Sequence, residues 1–241
     1  LKHIIISGAS RGIGKAIALE LASKDTALSI SCKNSTALLS ETSDLIKAKG
    51  SSCMTFAGDM ADYKTAERFI KESQDKFGPC DILINNAGIS LVGLFQDMSR
   101  EDWDRIMDTN VGSVFNTCHA VLPNMISNKA GKIINISSVW GNVGASCEVA
   151  YSASKGAINA MTRALAKELA ISNIQVNAIS CGAIDTSMND NLSQEEKAIL
   201  CGEIPAGRFG QPSEVAKLVS QIIQAPSYLN GQIISLDGAW I

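Results

Sequence analysis

The chain is poor in histidine, with only His3 and His119 among its 241 residues. Two isolated imidazoles argue against a histidine-based catalytic triad. Its cysteines (Cys32, Cys53, Cys80, Cys118, Cys147, Cys181 and Cys201) are odd in number and contain no CxxC pair. That argues against a disulfide framework or a zinc site, and for reduced thiols in a cytoplasmic protein. Long apolar runs are missing too: HIII, near the start, is far too short for a signal segment or a membrane span. Charge of one sign is also lacking, the net value being -3, so neither nucleic acid nor an anionic membrane is expected as the main partner. With no repeat, low-complexity linker or break in composition, residues 1–241 read as one domain, long enough to bury a substantial core.

Short apolar runs alternate with helical patterns along the whole length. KHIIIS, TALSISC, SSCMTFAGDM, DILINNAGIS, KIINIS, IQVNAIS and GQIISLDG read as strands. GKAIALELASK, STALLSETSDLIKAKG, TAERFIKESQDKFG and PSEVAKLVSQIIQ read as helices. Gly50, Gly78 and Pro79 supply stop signals, and Pro212 sits in a first turn. This alternation predicts an α/β fold: a doubly wound, seven-stranded parallel sheet with helices on both faces. From Ser99 a long helical pattern is interrupted by Asn110 and Gly112, which predicts a kink or irregular turn there. The polar stretch CGAIDTSMNDNLSQEEK is expected to be a loop covering the site.

The first strand runs directly into GASRGIG and then into a helix, the context a dinucleotide-binding loop of a Rossmann fold requires. Gly8 permits the tight turn. Gly12 and Gly14 allow backbone to approach phosphate and helix to pack on strand, and the helix N-terminus favours the anion. The second strand ends at Cys32, where a site preferring NAD usually carries an acid for the ribose hydroxyl. Here Cys32 is followed by Lys33 and Asn34, and Arg11 lies in the loop itself. Two cations and no carboxylate suit a 2′-phosphate, so NADPH/NADP+ is the predicted cofactor. The fourth strand runs into Asn85, Asn86, Ala87 and Gly88, residues suited to lining a ligand crevice or equally to an Asx turn.

The stretch SVWGNVGASCEVAYSASK, from Ser138 to Lys155, carries the chemistry. Tyr151 and Lys155 are four residues apart and share one face of a helix. Free tyrosine, with a pKa of about 10, gives up its proton poorly at neutral pH. A neighbouring ammonium is expected to lower that value towards the working range. Ser138 stands thirteen residues earlier, at the mouth of the preceding strand.

GASRGIG, Asp59, NNAG, Asn110, Ser138 and Tyr151-x-x-x-Lys155 together resemble the short-chain dehydrogenase/reductase family, over essentially the whole chain. The resemblance implies an oxidoreductase in which Tyr151 protonates a carbonyl oxygen as hydride arrives and Ser138 holds that oxygen. It implies that Lys155 tunes the tyrosine and binds the nicotinamide ribose, while Asn110 holds a water in a proton relay. Gly8, Ser10, Arg11, Gly12, Ile13, Gly14, Lys33, Asn34, Asp59, Asn86, Ala87, Gly88, Tyr151, Lys155, Ile184 and Thr186 would contact the cofactor, with Asp59 facing the adenine. No metal is implied. Cys181-Gly182 stands where the family usually has Pro-Gly, which is expected to loosen a turn near the nicotinamide.

Within the family the chain is most similar to reductases of 3-oxoacyl groups on acyl carrier protein. In those, basic residues near the entrance meet the carrier; Lys129 could serve, whereas Ser172 stands where a second cation is often found. SSVWGNVGASCEVAYSASKG has a narrower resemblance to 5-aminopentanone reductases acting on a modified lysine of elongation factor P. On that reading Glu148 pairs with the substrate's ammonium; the alternative is a surface glutamate stabilised by a helix start. Trp140 and Cys147 are expected to shape the same pocket wall, with Ser138, Glu148 and Tyr151 the remaining substrate contacts. A non-catalytic NADPH-binding regulator on the same fold is the most distant reading. A homo-oligomer, dimer or tetramer, is implied, with Gly156, Ala157, Ala160 and Ala164 offered for packing between subunits or within one. The terminal DGAWI is offered for a second interface.

Overall fold

In a sheet covered on both sides, side-chain alternation along each strand feeds two separate cores. The computed structural model describes residues 1–190 and 192–241; Asn191, in the polar stretch expected to be a loop, lies outside the described residues. Among the described residues there are seven strands: β1 (Lys2–Ile6), β2 (Thr26–Cys32), β3 (Ser52–Ala57), β4 (Ile82–Asn85), β5 (Gly131–Ser138), β6 (Ile174–Cys181) and β7 (Ile233–Leu236). All pair in parallel in the order β3-β2-β1-β4-β5-β6-β7. Ile4 and Ile6 of β1, Ile82 and Ile84 of β4, and Ile134 and Ile136 of β5 face helices α1 (Gly12–Leu21), α2 (Thr36–Ala48) and α9 (Pro212–Gln224). Ile5, Leu83 and Ile133 face the other way, towards α3 (Tyr63–Phe77), α5 (Ser113–Asn128) and α7 (Val149–Leu169). The doubly wound sheet is therefore as expected. Among the described residues no helix is long and apolar enough to cross a membrane.

Strand order reverses at β1, which has β2 on one side and β4 on the other. At such a switch point the loops leaving the two strands diverge and open a crevice at the carboxyl edge of the sheet. The glycine loop leaves β1 there, and Asn86–Gly88 leaves β4 beside it. β4 is shorter than its apolar run suggested, because the Asn86 and Ala87 N–H groups turn away from the ladder to donate to Ser7 Oγ, both at 3.1 Å.

The interruption at Asn110 is a π-helical turn, Asp108–Gly112, between α4 (Arg100–Met107) and α5. The polar stretch after β6 is not all loop. It contains a short 3₁₀ turn, Ser187–Asn189, and its last residues enter α8 (Gln194–Glu203). α8 opens on a reciprocal cap in which Ser193 Oγ accepts from Glu196 N–H and Glu196 Oε2 accepts from Ser193 N–H. A one-turn helix, α6 (Trp140–Val143), follows β5.

His3, at the start of β1, is 1% exposed. The Gly78 carbonyl can only accept, so Nδ1 carries the ring proton (2.8 Å) and Nε2 accepts from Ser29 Oγ–H (3.0 Å). Burial holds its pKa below the ordinary 6.5, against the smaller opposing pull of the Gly78 carbonyl. The folded state therefore prefers the neutral ring, while the unfolded chain takes up a proton near pH 6.5. Stability from this residue is full above that pH and is lost as pH falls through the folded value. Denaturant unfolding between pH 7.5 and 5.5 should show stability declining by at most about 1.4 kcal/mol per pH unit from this one proton. His3→Gln should be less stable at pH 7.5 and show a shallower decline.

Candidate active site

The glycine loop is fixed by β4. Gly8 takes φ +68°, and a Cβ there would lie 2.9 Å from Ala87 Cα; one at Gly14 would lie 2.2 Å from the Gly8 carbonyl oxygen. Only bare backbone fits at both positions. The Asn86 amide locks this arrangement by donating to the carbonyls of Ser7 (3.1 Å) and Gly8 (2.8 Å). Arg11 precedes α1 in an extended conformation and gives the helix no side-chain cap, and no acid occupies the first turn. The N-terminal N–H groups of α1 are thus left for an anion, and the fit to a dinucleotide pyrophosphate is good. Ser10 is buried, its carbonyl accepting from Thr42 Oγ1, and Ile13 packs on the core. Thr186 reaches over the loop, its Cγ2 lying 3.4 Å from where a Cβ on Gly12 would be. Ile184 is buried and bridges to Gly210.

At the far end of the crevice two residues assigned to separate contacts are joined. Lys33 Nζ lies 2.6 Å from Asp59 Oδ2, and Asp59 Oδ1 also accepts from Ala61 N–H at 3.0 Å. Lys33 is thus not an unaccompanied cation, as the sequence pattern suggested. Asn34 beside it is exposed.

Ser138, Tyr151 and Lys155 meet because β5 ends where α7 begins its first turns. Lys155 is 4% exposed and donates to the Ile136 carbonyl at 2.9 Å, with Nζ 5.5 Å from the centre of the Tyr151 ring. A Cβ on Gly88 would lie 3.3 Å from Asn110 Oδ1 and 3.5 Å from Lys155 Nζ, so this glycine is where cofactor loop, amide and ammonium converge. Asn110 is fully buried; its amide donates to the Ile89 carbonyl and to Ser154 Oγ (both 2.9 Å) and accepts from Ile89 N–H (2.8 Å). The π-turn is what brings that side chain inward, and the hydrogen bonds give a poor helix former its reason to be there.

The electrostatics overturn one expectation. The half-buried Tyr151 phenol is pushed well above its ordinary value of 10.0, first by burial and then by the Glu148 carboxylate; the Ser138 hydroxyl opposes this by interacting with the phenol. Lys155, meanwhile, is pulled down to about 8 by burial. Burial disfavours the charged form of each group, which raises the phenol and lowers the amine. Tyr151 therefore keeps its proton at neutral pH. That is no obstacle to donation, since an alkoxide is a stronger base than a phenolate.

The remaining wall is built from α6 and the turn after it. Trp140 N–H donates to Ser138 Oγ at 3.2 Å. Cys147 takes φ +62°, and its carbonyl accepts from Gly93 N–H at 2.8 Å, which ties the turn to the loop after β4. Glu148 does not cap α7 with its side chain; it turns to Ser90, whose hydroxyl donates to Oε1 at 2.6 Å. The turn at Cys181-Gly182 is tied rather than loose: Val139 N–H donates to the Cys181 carbonyl and Gly182 N–H to that of Leu236, both at 3.0 Å. Lys129 stands two residues before β5 and so beyond the end of the strand opposite to Ser138, the strand itself being about 23 Å long. Within one chain it is no part of the entrance.

Sequence reasoning passed over Ser7, Ser90 and Ser154, whose hydroxyls hold Asn86–Ala87, Glu148 and Asn110. Ser7 alone carried a signal, as a polar residue closing an apolar strand before the glycine loop.

The short chain dehydrogenase family model matches residues 2–197, and the chain belongs to that family of oxidoreductases, which interconvert alcohol and carbonyl groups with a nicotinamide cofactor. It is similar to the 3-oxoacyl-[acyl-carrier-protein] reductase FabG of Staphylococcus aureus, with 37% identity over 98% of this chain and 97% of the relative. The FabG of Thermotoga maritima is 36% identical over 100% of this chain and 98% of its own length, and that of Staphylococcus epidermidis 34% over 98% of each.

Lys155 carries its charge below about pH 8 and loses it above. Because kcat/KM reports ionisations of the free enzyme, kcat/KM for ketone reduction should be level below pH 8 and fall above it. Lys155→Met should lower the rate and remove that break in the profile. A level profile up to pH 10 would show that the lysine is not tuned.

Proposed function

We propose that this chain is an NADPH-dependent ketone reductase of the 3-oxoacyl-[acyl-carrier-protein] reductase type. What supports it most is the meeting of Ser138, Tyr151 and Lys155 at the carboxyl edge of β5, next to the glycine loop. Gly8, Ser10, Arg11, Gly12, Ile13 and Gly14 would hold the pyrophosphate, Arg11 and Lys33 the 2′-phosphate, and Asp59 the adenine side. Asn86, Ala87, Gly88, Ile184 and Thr186 would line the nicotinamide end. The cofactor supplies the hydride to the carbonyl carbon.

The protein's own work is to bind, orient and deliver one proton. The Ser138 hydroxyl, its oxygen accepting from Trp140 N–H and its hydrogen directed to the Tyr151 phenol, would turn that hydrogen to the substrate carbonyl oxygen when the ketone binds. Tyr151 gives its phenolic proton to that oxygen as negative charge gathers on it, and the phenolate left behind lies near the Lys155 ammonium. Lys155, beside Asn110, then returns a proton to it from solvent.

A second reading is kept because Glu148 presents a half-buried carboxylate near Tyr151, held by a serine rather than a cation. A ketone bearing a primary amine, such as the 5-aminopentanone arm on elongation factor P, would pair with it. For assembly, the exposed Ala160 and Ala164 of α7 and the outward Phe115 of α5 support a homo-oligomer packed through these two helices.

NADPH oxidation should be followed with acetoacetyl-acyl carrier protein and, separately, with the amine-bearing factor. Tyr151→Phe should lose on the order of 10²–10⁴-fold in rate, the span of a general acid. Persistent activity in that variant contradicts the mechanism, and no turnover of any ketone by the unaltered protein leaves a non-catalytic NADPH-binding protein. Glu148→Gln should raise KM only if the amine-bearing substrate is the true one.

A further inference from the structure

β7 ends at Leu236, on the same carboxyl edge as Ser138, and the residues after it turn back over that edge. The turn is held from several sides. A Cβ on Gly182 would lie 2.8 Å from Asp237 Cα, and Ala206 N–H donates to the Gly238 carbonyl at 3.1 Å. Ala239 takes φ +65°, a left-handed conformation that costs a residue with a side chain. It is secured by its own N–H on Asp237 Oδ1 (3.1 Å) and by Trp240 N–H on the Asp237 carbonyl (3.3 Å). Such strain persists only where the surroundings over-determine it, and here it aims one side chain. The Trp240 ring meets Trp140 edge-to-face, with centroids 4.8 Å apart and planes at 61°.

Trp140 belongs to a helix whose backbone has little freedom. Its N–H is on Ser138 Oγ, and a Cβ on the next residue, Gly141, would lie 2.7 Å from the Lys155 carbonyl carbon. Asn142 donates to Ser180 Oγ (3.0 Å) and accepts from Asn159 Nδ2 (2.9 Å). The indole is the part of this helix that still needs a brace, and Trp240 supplies it. Both rings are only half-buried, so the pair keeps a face outward at the mouth of the site.

We propose that Trp240 is a positioning residue for the carbonyl substrate, acting through Trp140: the two rings form one aromatic wall beside the Ser138 hydroxyl, against which the group flanking the ketone lies. This rests on the ketone-reductase reading above. The substrate class it favours is a ketone with an apolar or planar flank, since an aromatic wall offers contact area and no hydrogen-bond acceptor.

The test is steady-state kinetics with an acetoacetyl thioester and NADPH. Trp240→Ala should raise the ketone KM roughly five- to tenfold, the worth of an aromatic pair, with kcat and the NADPH KM within about twofold of their starting values. Trp240→Phe should restore most of the loss. The Trp140→Ala/Trp240→Ala double variant should match Trp140→Ala alone, because one acts through the other. Should the alanine variant fail to fold, Trp240→Leu, which fills the space without a ring, must still raise KM. An unchanged KM, additive effects, or equal loss of ketone and NADPH binding with no rescue by phenylalanine would overturn the inference while leaving the reductase reading intact. An unaltered protein that turns over no ketone would overturn both.

Discussion

An ammonium taken out of water sets the terms for the rest of this site. Removing such a charge from solvent costs several kcal/mol even after relaxation, and the Ile136 carbonyl repays only part of that for Lys155. The protein keeps the group by surrounding it with backbone that cannot move: Gly141 against the Lys155 main chain on one side, and Gly88 close to its Nζ on the other. A side chain at Gly141 would displace the helix carrying the lysine, whereas one at Gly88 would press first on the Asn110 amide oxygen. The lowered affinity of Lys155 for its proton follows from the same burial, as does the raised value of Tyr151. Both side chains thus owe their working state to the packing of α6 and α7 on the end of β5.

The crevice beside them is maintained by polar groups that leave their regular ladders. Asn86 and Ser7 cross-link the two loops at the switch point, and Asn110 leaves the helical repeat through a π-turn to grip Ile89. Deeper down, Asn85 donates to Asn135 and Asn135 to Thr162, a buried chain that fixes β4, β5 and α7 in one register. Every link here is partnered, which is what allows so many amides beneath the candidate site.

Much of this was legible in the chain itself, because the signals were local. Parallel strands buried on both faces read as continuous apolar runs, and the glycine loop stood in its strand-to-helix context. The Tyr151–Lys155 spacing needed only helical periodicity. What escaped depended on contacts between distant segments. The ion pair of Lys33 with Asp59 joins the ends of two strands, and the Trp140–Trp240 pair spans a hundred residues. The direction of the tyrosine shift depended on the burial of the phenol and on the Glu148 carboxylate, which the Tyr151–Lys155 spacing does not encode. Helix α8 was missed although Ser193 and Glu196 announce it, because it buries no residue fully and so shows little periodicity.

The central claim is that Lys155 is a desolvated, tuned ammonium, and it can be measured without turnover. Titration of the lysine side chains by ¹³C NMR, with the Lys155 signal assigned by its loss in Lys155→Arg, reads the group directly. The account predicts a midpoint near 8. A midpoint at the ordinary 10.5 would contradict it, and with it the argument that burial governs the ionisation of Tyr151 and Lys155.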